Sequence, residues 1–586
     1  MQTITKILTE IVEGAFAACG YESRLGAVST SDRLDLCQFQ CNGAFDGAKL
    51  YHKAPFMIAE EVAAKLQENS ILEKAEAVRP GFINLTLKDS YLLSYAAQIA
   101  ADQNAGIPQA EQEETIILDY GGPNVAKPLH IGHLRSAIIG ESLKRLARAT
   151  GRKALGDIHL GDWGLQIGLV IAELEERNPD WKCFADDFCP ETDSVPALDT
   201  DTLSEVYPFA SKKSKEDEAF KKKAQAATYD LQSGRPGYMA LWKEIMRVSV
   251  DDLKRNYEKL NVYFDLWYGE SDAEQYVNTL VELLQDKGLL YESDGAQVVD
   301  VAEESDKAPM PPVIIKKSDH SSIYATTDLA TLIQRQKDFA PDQIWYIVDK
   351  RQSLHFSQVF RCARKAGIVP EQTALEFLGF GTMNGSDGKP YKTRDGGVMR
   401  LADLIETVTT AAYDKMSGSG FVSEEDQQEI AEKVGIAAIK FGDLINHRSK
   451  DYIFDIDKFL SFEGKTGPYI LYTITRIHSI LNKAGVNPDA EITMSGVYSD
   501  LERELLLTIA LTGEVFQHAV EEKAPNYLCE NVYQLASVFS KFYHDHHILT
   551  ESDPEKKNTW LALSMLTRKL LLKHLEVLGI EAVDHM

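Results

Sequence analysis

The spacing of apolar positions changes twice along the chain and divides its 586 residues into three parts. In the first, short strand-like runs such as INLTL alternate with amphipathic stretches such as PFMIAEEVAAKLQ, which predicts a small α+β domain over 1–109. Over 110–404, apolar strands alternate with helices, the pattern of a doubly wound parallel α/β sheet, with a polar insertion at about 178–240. Over 405–586 the spacing is almost wholly helical and predicts an all-α bundle.

One strand-turn-helix unit combines strong structural signals with chemistry. The run TIILDY (115–120) is typical of a buried strand, two glycines and a proline break it, and helical spacing then begins. His130, Gly132 and His133 fall where this helix starts. A helix start offers N–H groups and the positive end of the helix dipole, which suit phosphate, and Gly132 allows close approach. Lys127 adds a positive charge three residues upstream.

Two histidines three residues apart are, taken alone, better explained as a polar first turn. Here a glycine lies between them, a strand ends ten residues earlier and a lysine precedes them, so phosphate binding is favoured. His-Ile-Gly-His in this setting resembles the nucleotide-binding signature of class I aminoacyl-tRNA synthetases. The longer run Pro-Asn-x-Ala-Lys-x-x-His-x-Gly-His-Leu-Arg-Ser (123–136) is similar to the arginyl-tRNA synthetase version.

The resemblance covers nearly the whole chain outside the insertion. It implies a Rossmann-like catalytic domain between an N-terminal tRNA-contacting domain and a C-terminal anticodon-binding bundle. The implied reaction activates L-arginine with ATP to arginyl-adenylate and transfers it to tRNA(Arg), releasing pyrophosphate and AMP. It also implies that activation needs bound tRNA, that Mg²⁺ accompanies ATP, and that the chain works as a cytoplasmic monomer without a structural metal.

An arginine pocket needs carboxylate or amide acceptors, because the guanidinium is planar, always charged and rich in donors. From Pro311 the spacing predicts a strand (PVIIKK), a turn, a strand (IYAT) and a helix starting near Thr327 or Asp328. The strands QIWYIVD and LEFLGFG follow. Asp328 is the candidate carboxylate and Tyr324 a wall of the pocket, although a helix cap explains Asp328 at least as well locally. The remaining arginine-binding positions are implied by the resemblance: Asp119, Gly122, Pro123, Asn124, His133 and Gln352.

The catalytic and ATP-binding positions implied by the resemblance are Lys127, His130, Gly132 and His133. The usual Lys-Met-Ser-Lys-Ser loop is missing: KMSGSG (415–420) follows a predicted helix and is interpreted as its end, closed by Gly418. The positional equivalent, YKTRDGG (391–397), resembles a degenerate loop of many arginyl enzymes, in which the lysine before the signature substitutes for the missing one. The candidates for stabilising transition-state charge are therefore Lys127, Lys392 and Arg394.

Charge complicates RNA binding, because a net charge of −27 repels a polyanion on average. Binding of tRNA therefore requires cations gathered on one face. In the helical part, Tyr469, Tyr472 and Arg476 are available for tRNA, although at least one of the aromatics is expected in the core. The lysine run SKKSKEDEAFKKK (211–223) is better explained as a solvated helical face.

Several classes are disfavoured by what the sequence lacks. The seven cysteines are scattered without metal-ligand spacing, unlike cysteinyl or methionyl enzymes, and indicate reduced thiols. No membrane span or signal peptide is predicted. Lysyl or glutamyl specificity stays open on pocket chemistry alone. A small nucleotidyltransferase lacks such a helical tail, and a non-enzymatic RNA-binding regulator is expected to lose the signature. A pocket of polar contacts also needs no editing domain.

Overall fold

The computed structural model describes residues 1–31, 37–317, 324–391, 399–416, 424–487, 490 and 493–586. They form two compact units. The sheet unit comprises Gln112–Arg148 and Arg152–Leu460, and the terminal unit comprises Met1–Glu111, Ala149–Gly151 and Ser461–Met586. Residues 405–460 thus cluster with the sheet, whereas the three-domain division with boundaries near 109 and 404 stays a prediction.

A four-stranded parallel sheet is the centre of the sheet unit. Its strands lie in the order Ala374–Phe377, Gln343–Tyr346, Thr115–Asp119, Lys153–Asp157. The chain leaves Thr115–Asp119 towards one side and later returns to its other side. A topological switch point therefore lies between Thr115–Asp119 and Gln343–Tyr346, and ligands of such sheets bind beyond the carboxyl ends of these strands. The predicted doubly wound α/β class is confirmed.

The predicted strand and helix of the signature segment are both present. Ile116, Ile117 and Leu118 are completely buried, as expected for a parallel strand covered on both faces. The helix that follows, here called the signature helix, runs from Ile131 to Ala149. It stops before Gly151, whose φ of +85° suits glycine at a helix end.

The prediction of a strand at IYAT (323–326) is wrong for 324–326, the residues of this run that the structure describes. Residues 324–326 begin the helix Tyr324–Phe339, here called the pocket helix, so Tyr324 lies in a first helical turn and not at a strand end. The β-branched residues are accommodated because the Thr326 hydroxyl donates to the Ile315 carbonyl and the Thr327 hydroxyl to that of Tyr324. Burial of an apolar helix face thus outweighs local β propensity. The strand Val313–Lys316 is present but belongs to a separate antiparallel sheet.

The other elements of the sheet unit surround the parallel sheet. The separate antiparallel sheet pairs Leu290–Ser293, Ala296–Val299 and Val313–Lys316, and a short parallel pair joins Met383–Asn384 to Tyr452–Ile453. The remaining helices are Leu165–Arg177, Thr200–Glu216, Glu218–Gln232, Pro236–Lys259, Glu270–Ala273, Val277–Asp286, Ser353–Ala366, Leu401–Met416, Glu424–Leu444 and Ile456–Phe459, with 3-10 turns at Lys182–Phe184, Glu274–Tyr276 and Lys350–Gln352. The helix Leu401–Met416 thus includes the first two residues of KMSGSG (415–420), and Gly418 lies outside the described residues.

The lysine run of the insertion spans two helices, Thr200–Glu216 and Glu218–Gln232. Lys213 pairs with Glu173 at 3.1 Å and Lys223 with Glu175 at 2.9 Å, both on a neighbouring helix. Phe220 is buried within the run. These lysines therefore support the packing of the insertion.

The terminal unit combines the two ends of the chain. An antiparallel sheet in the order Val28–Thr30, Phe39–Cys41, Phe82–Leu87, Leu72–Val78 is accompanied by the helices Ile4–Ala18, Gly43–Tyr51, Pro55–Leu66 and Asp89–Ala101 and a 3-10 turn at Ser23–Gly26. The C-terminal helices are Gly467–Ala484, Asp500–Ala510, Thr512–Glu521, Asn526–Asp545 and Pro554–Leu578, with a 3-10 turn at Ile548–Thr550. An ion pair of 2.7 Å between Arg503 and Asp89 links the two sets.

Two further findings concern membranes and thiols. Within the described ranges, no helix combines the length and apolar character needed to cross a membrane. All seven cysteines are in the thiol form.

Candidate active site at the switch point

The turn after the central strand is fixed to both sides of the switch point. The Gly121 N–H donates to the Ser136 hydroxyl at 2.8 Å, and that hydroxyl donates to the Ile347 carbonyl at 2.7 Å. Gly121 has a φ of +90°, and a Cβ there would lie 2.9 Å from the Phe264 ring. Glycine is therefore required, and the turn is held between the signature helix and the neighbouring strand.

His130 and His133 form a close pair of tilted rings at the start of the signature helix. Their ring centroids are 4.0 Å apart. The Gly132 N–H donates to Nδ1 of His130 at 3.0 Å, and the His130 N–H donates to Nδ1 of His133 at 3.2 Å. Because both Nδ1 atoms accept, the neutral rings carry their proton on Nε2 and present it as a donor. A Cβ at Gly132 would lie 2.7 Å from the His130 ring, so glycine also leaves room for this ring pair.

The electrostatics of the pair favour neutral rings at physiological pH. Burial, with His130 and Lys127 adding to it, lowers the pKa of His133 to about 3. Burial and then Lys127 lower the pKa of His130. The rings can thus donate hydrogen bonds to an anion, whereas the positive charge at this point comes from Lys127 and the helix dipole.

Asp328 lies in the pocket helix and is held by a neighbouring helix. One of its oxygens, Oδ2, lies 2.6 Å from Nε2 of His355, and the Asp328 side chain is 17% exposed. Tyr324, one turn earlier, is 62% exposed. Gln352 is exposed in the 3-10 turn before the helix that carries His355. His355 therefore orients the predicted guanidinium ligand.

Asp119, at the end of the central strand, is buried and ion-paired. Its Oδ2 accepts from Arg335 at 2.6 Å. Arg335, on the pocket helix, also contacts Asp157 at the end of the adjacent strand. The structure thus links Asp119 to the helix that carries Asp328.

The predicted residues Gly122, Pro123 and Asn124 lie beside the segment HLGDWG (159–164), to which the backbone of this turn is hydrogen-bonded. The Gly161 N–H donates to the Pro123 carbonyl at 3.1 Å, and Asn124 forms a bridge with Gly161. Gly122 is exposed with a φ of +40°. Further along, Asp162 accepts from the Ser271 N–H and hydroxyl. A structural role for HLGDWG is therefore evident, because it supports the turn and a short helix.

Glu270 is a residue that the sequence-based prediction missed. It is 7% exposed and lies in the one-turn helix Glu270–Ala273. Burial raises its pKa to about 7, with Asp162 and Asp328 adding to the rise and His159 opposing it. Glu270 also acts on the Tyr324 hydroxyl, whose pKa is raised first by burial. No local pattern marks Glu270, because only the fold places it near Asp328.

The remaining predicted residues lie elsewhere. Lys392 and Arg394 fall outside the described residues. In the terminal unit, the Arg476 guanidinium donates to the Tyr472 hydroxyl at 2.9 Å, and both residues line a cavity of about 680 Å³. Tyr469 packs against Tyr533, with ring centroids 5.7 Å apart. Tyr472 is 40% exposed and Tyr469 half-buried, so neither lies fully in the core. In the described part of the chain, no His, Cys, Asp or Glu side chains group in threes to hold a metal ion.

A parallel sheet whose switch point carries a His-Ile-Gly-His helix start is typical of the class I aminoacyl-tRNA synthetases. The family model "tRNA synthetases class I (R), catalytic domain" matches residues 96–456. "Arginyl tRNA synthetase N terminal domain" matches 2–87, and "DALR anticodon binding domain" matches 470–586. The chain therefore belongs to the arginyl-tRNA synthetase family, and the predicted resemblance is confirmed.

Individual relatives agree with this membership. The chain is 50% identical to an arginine–tRNA ligase of Alkaliphilus oremlandii and 48% identical to one of Agathobacter rectalis, each over the full length of both chains. The fold is similar to the crystal structure of arginyl-tRNA synthetase from Plasmodium falciparum, with a TM-score of 0.82, 24% identity and full coverage of both chains. As a member of the family, the chain is a ligase that joins arginine to tRNA at the expense of ATP.

Proposed function

We propose that the crevice at the switch point is where arginine and ATP react and where arginine is passed to tRNA(Arg). The observation that carries this proposal is the neutral pair of adjacent rings, His130 and His133, at the start of the signature helix. The same unit holds the partly buried carboxylate of Asp328 and the buried carboxylate of Glu270. One part suits a triphosphate and the other suits a guanidinium.

The reaction needs positioning and charge neutralisation rather than a protein nucleophile. A carboxylate oxygen of arginine attacks the α-phosphorus of ATP, and the bond to pyrophosphate breaks. The terminal ribose hydroxyl of tRNA then attacks the arginyl carbonyl, and AMP leaves. The Nε2–H groups of His130 and His133 and the charge of Lys127 are proposed to stabilise the phosphate oxygens during the first step. Lys392 and Arg394 are proposed to add to this charge.

Recognition of arginine is proposed to rest on two carboxylates, one partly buried and one buried. Asp328, oriented by His355, is proposed to supply one partner for the guanidinium. Glu270, at the start of the helix Glu270–Ala273, is proposed to supply the second. Tyr324 forms an exposed wall beside them. The α-ammonium and α-carboxylate of arginine are proposed to meet Asp119, Gly122, Pro123, Asn124, His133 and Gln352.

The finer properties of the enzyme are proposed on the same basis. Mg²⁺ is proposed to arrive with the ATP phosphates and to share in neutralising their charge. The aromatic and cationic surface formed by Tyr472 and Arg476, with Tyr469 beside it, is proposed to contact tRNA. The chain is proposed to act as a monomer in the cytoplasm, where its seven thiols stay reduced.

Isotopic exchange between pyrophosphate and ATP tests the proposed function. We expect exchange with arginine and ATP only when tRNA(Arg) is present, because the activation step is proposed to need bound tRNA. Lysine and glutamate serve as competing amino acids under the same conditions. Strong exchange with either of them would contradict the substrate assignment, and strong exchange without tRNA would contradict the tRNA requirement.

Because the pKa of Glu270 is raised, we expect kcat/KM for arginine to depend on pH. Its pKa is raised to about 7, so in the free enzyme the carboxyl is neutral below that pH and ionised above it. Because only the carboxylate pairs with a guanidinium, kcat/KM for arginine is expected to fall about tenfold per pH unit below about pH 7. The measurement is kcat/KM for arginine between about pH 5.5 and about pH 8.5.

The matched variants are Glu270→Gln and Glu282→Gln. Glu270→Gln removes the titrating group, so the pH step should disappear while arginine use is weak throughout. Glu282 is exposed on a neighbouring helix of the same unit, so its variant should keep the step. A step that persists in Glu270→Gln would assign the titration to another group.

A further inference from the structure

Arg335 is a buried cation that the reaction chemistry does not use. It lies on the pocket helix and is only 1% exposed. Its Nη2 contacts the Oδ2 atoms of Asp119 and Asp157 at 2.6 Å each, and its Nη1 donates to the Tyr346 hydroxyl at 3.2 Å. One guanidinium thus reaches three side chains in a fully enclosed setting.

The three partners of Arg335 are the last residues of three adjacent parallel strands. Asp119 is paired with Asp157 on one side and with Tyr346 on the other in the register of the sheet. They therefore lie in one row across the carboxyl edge, on both sides of the switch point. Arg335 spans this row with two nitrogens of one rigid plane, Nη2 at both carboxylates and Nη1 at the Tyr346 hydroxyl. An ammonium is a compact point charge on a flexible stem and does not provide this fixed spacing of donors.

Arg335 is on the same helix as Asp328, the predicted guanidinium ligand. It follows Asp328 by seven residues, which is about two helical turns and places both on nearly the same face of the pocket helix. A helix fixed at Arg335 is therefore fixed in rotation and height relative to the strand ends. At its other side, His355 holds the Asp328 carboxylate.

Stability alone does not account for a guanidinium at this place. Buried ion pairs are often no more stabilising than apolar residues of the same volume, and the pocket helix already buries an apolar face through Ala325, Leu329 and Leu332. A charge that joins three strand ends instead fixes geometry. It also holds Oδ2 of Asp119, which fixes the orientation of the carboxylate that is proposed to meet the α-ammonium of arginine.

We propose that Arg335 is a positioning residue for arginine recognition, which sets Asp119 and the helix carrying Asp328 in register by bridging the carboxyl ends of three strands. The inference rests on the proposed function, because it takes the switch-point crevice as the arginine site. Arg335 itself does not touch the substrate. Its loss should therefore affect arginine much more than ATP.

The decisive variant is Arg335→Lys, which keeps the charge but not the fork. We expect KM for arginine in aminoacylation to rise about tenfold or more, with KM for ATP changed by less than about twofold. Arg361→Lys is the matched control: Arg361 pairs in a bidentate way with Asp306 and shares no partner with Arg335, so KM for arginine should stay unchanged. Thermal unfolding is measured for both variants.

Chemical rescue gives an independent readout. Arg335→Ala leaves a space lined by Asp119, Asp157 and Tyr346, which suits a free guanidinium ion. Millimolar guanidinium chloride should lower KM for arginine in Arg335→Ala, whereas in the wild-type enzyme it should only compete with arginine. Sodium chloride at equal ionic strength should not rescue. If Arg335→Ala fails to fold, Arg335→Lys alone decides.

The possible outcomes separate this inference from the proposed function. A wild-type enzyme that does not use arginine overturns the proposed function and the inference with it. A wild-type enzyme that uses arginine, together with Arg335→Lys that unfolds at a lower temperature but keeps KM for arginine, overturns only the positioning role. Parallel rises in KM for arginine and ATP also overturn it, because they indicate a general loss of structure.

Discussion

Replacing Asp328 by asparagine is expected to raise KM for arginine about 100-fold, because a charged hydrogen bond to the guanidinium worth about 3 kcal/mol is lost. The change is nearly isosteric, and the neighbouring His355 keeps a hydrogen-bonding partner at the same place. KM for ATP should stay near its wild-type value, since the phosphates are proposed to bind at the signature helix. The measurement is aminoacylation with arginine and ATP varied in turn.

The control for this variant is on the same helix. Asp338 is exposed, so Asp338→Asn makes the same chemical change without reaching the crevice and should leave both KM values unchanged. Equilibrium dialysis of radiolabelled arginine with tRNA present checks that KM reports binding. If arginine binds Asp328→Asn as tightly as the wild type, Asp328 is not part of the pocket.

Replacing Lys127 by methionine is expected to lower kcat about 100- to 1,000-fold. Losing one group that stabilises transition-state charge typically costs about 2.7–4 kcal/mol. Lys127 is half-buried before the signature helix and lies close enough to lower the pKa of both His130 and His133. KM for arginine should change little. Single-turnover formation of arginyl-adenylate measures the step directly.

Lys153 provides the matched control for Lys127. It is exposed at the amino end of its strand, whereas the proposed site lies beyond the carboxyl ends of the strands. Lys153→Met should therefore keep kcat. NMR titration supplies a second readout: without the Lys127 charge, the pKa of His130 should rise. Unchanged adenylate formation by Lys127→Met would exclude Lys127 from the phosphate chemistry, even if the histidine pKa moves.

Local patterns were sufficient for the phosphate-binding half of the site. A short run of apolar, β-branched residues ended by two glycines and a proline is typical of a buried strand, and a glycine at position 132 between two histidines marked the helix start. These features depend on neighbours in sequence, so tertiary context did not overrule them. The helix Ile131–Ala149 and the strand Thr115–Asp119 formed as predicted.

Local patterns failed where packing from a distant segment decided the outcome. The run IYAT has high β propensity, yet its described residues begin the pocket helix, because Ala325 and Leu329 are buried against the core. Val313–Lys316 was correctly predicted as a strand, but its partners form a separate antiparallel sheet. Strand type is visible in sequence, whereas strand pairing depends on segments far along the chain.

The sequence by itself determined the family, the α/β class and the placement of His130, Gly132 and His133 at a helix start, because each follows from residues close together in the chain. Only the tertiary structure decided that Glu270 is buried within electrostatic range of Asp328 and that Arg335 bridges Asp119 and Asp157. The reason is physical. Burial of a carboxylate and pairing of a guanidinium are properties of three-dimensional proximity, and the side chains concerned are up to 216 positions apart.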